Sequence, residues 1–122
     1  MKITKIFFHL INIVFLTIYL YPGSIFGYLL YDNINKQPQL TPDFYFSSNH
    51  VYAFIALTLF GLISHINKKN IIIYFIFMSI FLELAHIVIP NRSFQFSDLF
   101  GNIIGVFISI LIFNIYNYLE KK

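Results

Sequence analysis

Residues 71–105 read IIIYFIFMSIFLELAHIVIPNRSFQFSDLFGNIIG. An apolar run over 71–89 ends at Pro90, a short polar stretch occupies 90–97, and a second apolar run follows at once. Ile and Phe favour strands in water. Here, however, apolar and polar residues do not alternate with period two, the runs are long and the connection is short, which favours helices. A backbone in lipid must satisfy its own hydrogen bonds, so two such runs read as a transmembrane helical hairpin.

The rest of the chain extends this pattern. Apolar runs also cover 6–21 and 50–66, and the last run continues to 119. The 122 residues are 58% hydrophobic and 11% charged, where a soluble domain carries about 25% charged residues. Mean hydropathy is +0.74. A soluble domain this small buries too little surface to hide so many Phe, Ile and Leu side chains. The expected architecture is one all-α membrane domain over 1–122, a bundle of four transmembrane helices at about 6–21, 50–66, 71–89 and 98–119. The first two runs are short for a bilayer and borrow flanking residues or thin it locally.

The long connection is 22–49. Pro22-Gly23 breaks the first helix. Segment 25–31 is too short to span and reads as lying along the interface, with Tyr28 and Tyr31 at headgroup level. Trp is absent, so any aromatic belt falls to the 9 tyrosines.

Charge gives an orientation. With four spans, Lys2, Lys5, Lys68, Lys69, Lys121 and Lys122 share one side, and only Lys36 and Arg92 take the other. The positive-inside bias then puts both termini in the cytoplasm. The lysines sit in pairs at the edges of apolar runs, not in a stripe, so the net charge of +3 points to a membrane and not to nucleic acid. With no cysteine, disulfides and cysteine–zinc sites are excluded. The run 6–21 follows two lysines as a signal peptide would, but 24–27 is a poor cleavage site, so it reads as a retained helix.

In so apolar a chain, the polar residues of 83–105 stand out. Glu83 and His86 are three apart and share a helix face. Arg92 lies in the turn, and Asp98 and Asn102 open the last helix four apart. His50 opens the second helix. The topology brings these six to the outer side at one depth, as a candidate pocket. Gly101 and Gly105 form a small-xxx-small pair that lets another helix approach. Bland readings stand beside this one: Glu83 as the partner of Arg92, closing the turn; Ser97 as an ordinary N-cap for Asp98's helix; His86 as a cross-helix hydrogen-bonding group. His9, His65, Asn114 and Asn117 read as interfacial residues toward the cytoplasmic side. Glu83-x-x-His86 has the spacing used in di-iron bundles, but those need a second copy and further carboxylates. A mononuclear zinc site from His50, Glu83, His86 and Asp98 is conceivable, yet the sequence assigns no metal and no cofactor.

The same stretch resembles the VanZ-like membrane proteins. Their pattern of Glu, Gln or His, Pro, Arg, Asp, Asn and Gly falls here on Glu83, His86, Pro90, Arg92, Asp98, Asn102 and Gly105. Their helix-opening His and following aromatic fall on His50 and Phe54. The resemblance covers about 47–113 and implies a small helical membrane bundle. Two departures are visible: Phe46 and Ser47 stand where the family usually has an Asp-Lys pair, and His86 stands where Gln is more usual. No antibiotic resistance is inferred.

Three functions compete. The leading one is a cell-envelope protein of the bacterial cytoplasmic membrane whose outer pocket recognises a membrane lipid or a lipid-linked envelope precursor, with Arg92 taking a phosphate. The second is a membrane enzyme with His50 or His86 as base or nucleophile, oriented by Glu83 or Asp98. No catalytic residue is assigned. The third is a structural subunit in which Gly101 and Gly105 dock a partner helix. The small interior of four short helices leaves a homo-oligomer open.

Overall fold

The computed structural model describes residues 2–43, 45–64 and 66–122. His65, read above as interfacial, lies outside them. Among the described residues the chain forms five α-helices and no strand: α1 Lys2–Leu20, α2 Ile25–Tyr31, α3 Ser48–Ile63, α4 Lys68–Ala85 and α5 Phe96–Glu120. The four longer helices run alternately up and down. The end of α1 meets the start of α3, the end of α4 and the start of α5, while Thr4 at the other end donates to the Ser64 carbonyl.

Two helices, α1 and α5, are long and apolar enough to cross a membrane. With 16 residues, α3 rises about 24 Å, short of a hydrocarbon core of about 30 Å. The 18 residues of α4 include Lys68, Lys69 and Glu83. Its helix stops at Ala85, before the apolar run does. His86, Ile87 and Val88 donate three residues back, to Glu83, Leu84 and Ala85, because the chain tightens ahead of Pro90, which disfavours helix at the residue before it. Asn91, at φ 61°, completes the turn. Segment 25–31 is the short helix α2. Ser24 caps it by accepting the Gly27 N–H at 2.9 Å, and Asp32 ends it in the left-handed region at φ 53°.

The sequence reading of Ser97 as N-cap is corrected. The helix begins at Phe96, with Gln95 in extended conformation before it and no side-chain cap. The Ser97 carbonyl instead accepts the Ser47 N–H at 3.0 Å, tying the starts of α3 and α5 together. Asp43 serves the start of α3, where its carboxylate accepts the Ser48 N–H at 3.0 Å, a favourable place for negative charge.

Phe8, Phe54, Phe75, Leu82 and Val106 form the centre of the apolar core. Phe15 meets Phe54 edge-on at 5.4 Å, and Phe8 meets Phe75 at 6.0 Å. Buried beside them are polar residues: Thr58, Ser79, Glu83, Asn102 and Ser109. Large apolar side chains face outward, Ile3, Phe7, Leu10 and Val14 on α1 and Phe107 and Leu111 on α5. Apolar faces this extensive are not left to water by a soluble monomer; they suit lipid.

Helices in lipid gain little from hydrophobic burial and rely on close packing and cross-helix hydrogen bonds. Both hold α3 against α5. A Cβ on Gly105 would lie 2.7 Å from the Val51 carbonyl oxygen and from the Phe54 Cβ, and one on Gly101 would lie 2.7 Å from the Ser47 carbonyl oxygen. One turn on, the Ser109 hydroxyl donates to the Ile55 carbonyl at 3.0 Å. The glycine face is thus covered by α3 of the same chain. Gly105→Ala is expected to force the two helices apart and to lower stability by about 1–3 kcal/mol, the usual cost of overpacking, measured by denaturant unfolding in micelles.

Candidate functional site

The polar end of the bundle is built on Tyr19, which the sequence reading did not single out. Its hydroxyl donates to Glu83 Oε2 at 2.7 Å and accepts from Asn102 Nδ2 at 2.8 Å. His86 stacks on its ring, with centroids 4.6 Å apart and planes 18° apart, and His50 meets it edge-on at 5.2 Å. One phenol therefore joins α1, α3, α4 and α5. The only signal in the sequence was a tyrosine near the end of an apolar run, shared with many of the others.

Two backbone carbonyls fix where the protons lie. Asn102 faces the Ser79 carbonyl at 3.1 Å. A carbonyl only accepts, so the amide NH2 points there and Oδ1 points the other way. Oδ1 lies 2.8 Å from His50 Nδ1, which must carry a hydrogen to meet it. In a neutral His50 the lone pair is then on Nε2, 3.7 Å from Asp98 Oδ1. By the same logic, His86 Nε2 donates to the Tyr19 carbonyl at 2.9 Å. Its Nδ1 faces Glu83 Oε2 at 3.4 Å, and a proton belongs between them whichever carries it.

Glu83 is fully buried and well supplied with donors. Besides Tyr19 and His86, it accepts the Gln95 N–H at 3.1 Å. The expected pairing of Glu83 with Arg92 is replaced by this bond: the carboxylate does close the α4–α5 turn, but through Gln95. Arg92 is turned toward α1. Its Nε donates to the Tyr21 carbonyl at 3.1 Å and its Nη2 to the Ile18 carbonyl at 3.3 Å. With His86 on the Tyr19 carbonyl, two basic side chains thus satisfy the carbonyls at the end of α1, which no helical partner reaches. A cation there also opposes the negative end of the helix dipole. Partial burial pulls the Arg92 pKa below its ordinary value, against the opposing influence of Tyr19, Glu83 and Asp98 nearby.

The structure therefore brings His50, Glu83, His86, Asp98 and Asn102 together, with Arg92 beside them, and divides them. Glu83, His86 and Asn102 are buried and committed to one another. His50 and Asp98 keep 18% and 19% of their side chains exposed and form the accessible part. A groove of about 690 Å³ lies at the opposite end, lined among others by Leu62, Ile66, Lys68, Lys69 and Asn117, with none of the predicted site residues. His9 is exposed on α1, away from the cluster.

A family model described as VanZ/LLP1 matches residues 6–117. The chain belongs to the VanZ/LLP1 family. The match begins well before the 47–113 stretch that carried the resemblance, so α1 and its Tyr19 lie within the family domain. Membership and the two long apolar helices together indicate a membrane protein. No curated protein and no solved structure matches the chain.

Two substitutions separate the roles. Tyr19→Phe removes a cross-helix donor and acceptor and leaves Glu83 and Asn102 short of partners. Its expected cost is about 1–2 kcal/mol, from the modest worth of such bonds in membranes and the penalty for unpaired buried groups. Arg92→Ala frees the last carbonyls of α1. Faster amide exchange confined to the end of α1 and to 21–23 is expected, with the α3–α5 pair unchanged, as hydrogen-exchange mass spectrometry would show.

Proposed function

We propose that this VanZ/LLP1 protein is a four-span protein of the bacterial cytoplasmic membrane that binds the polar headgroup of a lipid or lipid-linked envelope precursor at His50 and Asp98. In this reading α1, α3, α4 and α5 all span, and the bilayer thins around the shorter α3. The lysine-rich end, with both termini, faces the cytoplasm by the positive-inside bias, so the His50–Asp98 end faces outward.

One observation carries the reading: the two partly exposed members of the polar cluster are held from behind by buried ones. Asn102 orients His50, and Tyr19 and Glu83 hold Asn102 and the α4–α5 turn. Ionisable groups within a membrane domain are costly and tend to mark function, and a first shell held by a second one is how a binding site keeps its geometry. Both accessible groups accept hydrogen bonds, which suits hydroxyl or amine donors on a headgroup. Arg92 is occupied with the end of α1, which leaves the headgroup to His50 and Asp98.

The fixed Nδ1–H of His50 favours a second reading, a membrane enzyme. It leaves Nε2 as a general base at the accessible side. That reading requires headgroup turnover that disappears in His50→Asn while binding persists.

Native mass spectrometry from nanodiscs of bacterial lipid tests the first reading. Wild type should retain a discrete lipid adduct. Asp98→Asn, which loses a charge-assisted bond worth about 1.5–3 kcal/mol, should reduce its occupancy by about tenfold or more. Equal adducts in wild type, Asp98→Asn and His50→Asn would remove the proposal.

A further inference from the structure

We infer that His50, Glu83 and Asp98 together bind a single divalent transition-metal cation, best matched by zinc. The site deepens the headgroup reading by giving the same end of the bundle a means of taking a phosphate, and only that consequence rests on the reading.

The direction of one hydrogen sets the site. The Ser79 carbonyl sets the Asn102 amide, the Asn102 oxygen takes the His50 Nδ1 hydrogen, and in the neutral imidazole Nε2 keeps its lone pair toward Asp98. A lone pair and a carboxylate oxygen then face each other at 3.7 Å. In that state two acceptors face each other, and a cation between them satisfies both. The distance is too long for a shared proton. It is close to the edge of a tetrahedron around a zinc ion, about 3.3–3.4 Å for bonds of about 2.0–2.1 Å.

Glu83 supplies the third ligand. One atom each from His50, Glu83 and Asp98 lie within 4.8 Å of one another, so the set must draw in by about 1 Å or more to close around the ion. The three come from α3, α4 and α5, so the bundle itself assembles the set. His86 drops out of the four residues conceivable from sequence, because its Nε2 is spent on the Tyr19 carbonyl. Three protein ligands leave a fourth position for water or a ligand oxygen, as in catalytic rather than structural zinc sites.

The surroundings have the support a metal site needs. Metal-binding histidines donate their other ring N–H to a fixed acceptor, and ligating carboxylates are themselves hydrogen-bonded. Asn102 Oδ1 does the first for His50, and Tyr19 and Gln95 do the second for Glu83. Two carboxylates and a neutral His50 imidazole offset the dication, and the proton between Glu83 and His86 then lies on His86. The imidazole favours zinc over magnesium or calcium, which prefer oxygen alone.

The test is zinc titration of the whole protein in micelles, stripped with EDTA and free of added lipid, followed by calorimetry and by X-ray absorption of the loaded form. One zinc per chain is expected, with a single imidazole and oxygen ligands. Asp98→Asn should weaken zinc binding at least about tenfold, and Tyr19→Phe, acting through Glu83, by about tenfold. His9→Ala should change nothing. Absence of saturable zinc binding, two or more imidazoles on the metal, or equal affinity in wild type and Asp98→Asn would overturn the inference. Because no lipid is present, such a failure leaves headgroup binding to its own experiment. Zinc binding without a lipid adduct would remove the headgroup reading and leave the metal site.

Discussion

The arrangement at one end of this bundle follows from a single constraint: Glu83 has no exposed surface and sits among helices whose outward faces are apolar. An unpaired carboxylate there would be very costly. The chain answers with donors from four directions: the Tyr19 hydroxyl from α1, the Gln95 N–H from the start of α5, His86 from the end of its own helix, and, through Tyr19, the Asn102 amide. Each donor pins an element. Tyr19 fixes the end of α1, Gln95 fixes the α4–α5 turn, and Asn102 fixes the rotation of α5. The glycine-lined contact between α3 and α5 then sets how close His50 comes to Asn102.

A second consequence concerns direction. Hydrogen-bond networks of amides, phenols and imidazoles often allow two senses, each group donating or accepting. Here the Ser79 and Tyr19 carbonyls, which can only accept, choose one sense. From the first, Asn102 and then His50 are set; from the second, His86. The result is an asymmetry between the two histidines. Both nitrogens of His86 are engaged in the interior, whereas His50 presents an accepting nitrogen to the accessible side, beside Asp98. Backbone carbonyls at the end of α1 and within α4 thus decide which imidazole is available for chemistry.

The helical architecture was legible because long apolar runs without period-two alternation favour helices, and the runs at 6–21, 50–66, 71–89 and 98–119 each overlap one long helix, which starts a few residues earlier. The candidate residues were legible because polarity is conspicuous against such a background. Three matters were not legible, for physical reasons. Tyr19 is amphipathic, and nothing in a sequence separates a tyrosine that joins four helices from one at a headgroup. Arg92 sits on a turn with a long side chain, and only the fold shows that the end of α1 is nearer its guanidinium than Glu83's needs are. The start of α5 lies before Ser97 because the turn is closed by the Gln95 N–H on a buried carboxylate and not by a hydroxyl cap. The Asp-Lys pair usual in the family before His50 is also absent, yet α3 still begins with a carboxylate at its N–H groups, taken from Asp43 in the preceding loop.

Energy alone does not explain why the chain keeps such a cluster. Cross-helix hydrogen bonds in membranes average about 0.6 kcal/mol, because a polar group in lipid finds some partner in the unfolded state too. Replacing buried ion pairs by apolar side chains of similar volume is often neutral or stabilising. An all-apolar interior with the same glycine contact would therefore hold these helices together about as well. What it would not do is hold the His50 imidazole and the Asp98 carboxylate in a fixed relation at the accessible end of the bundle. The buried half of the cluster, Tyr19, His86 and Asn102, contributes position more than stability. The groups it positions, His50 and Asp98, are the ones that remain partly open to what lies outside.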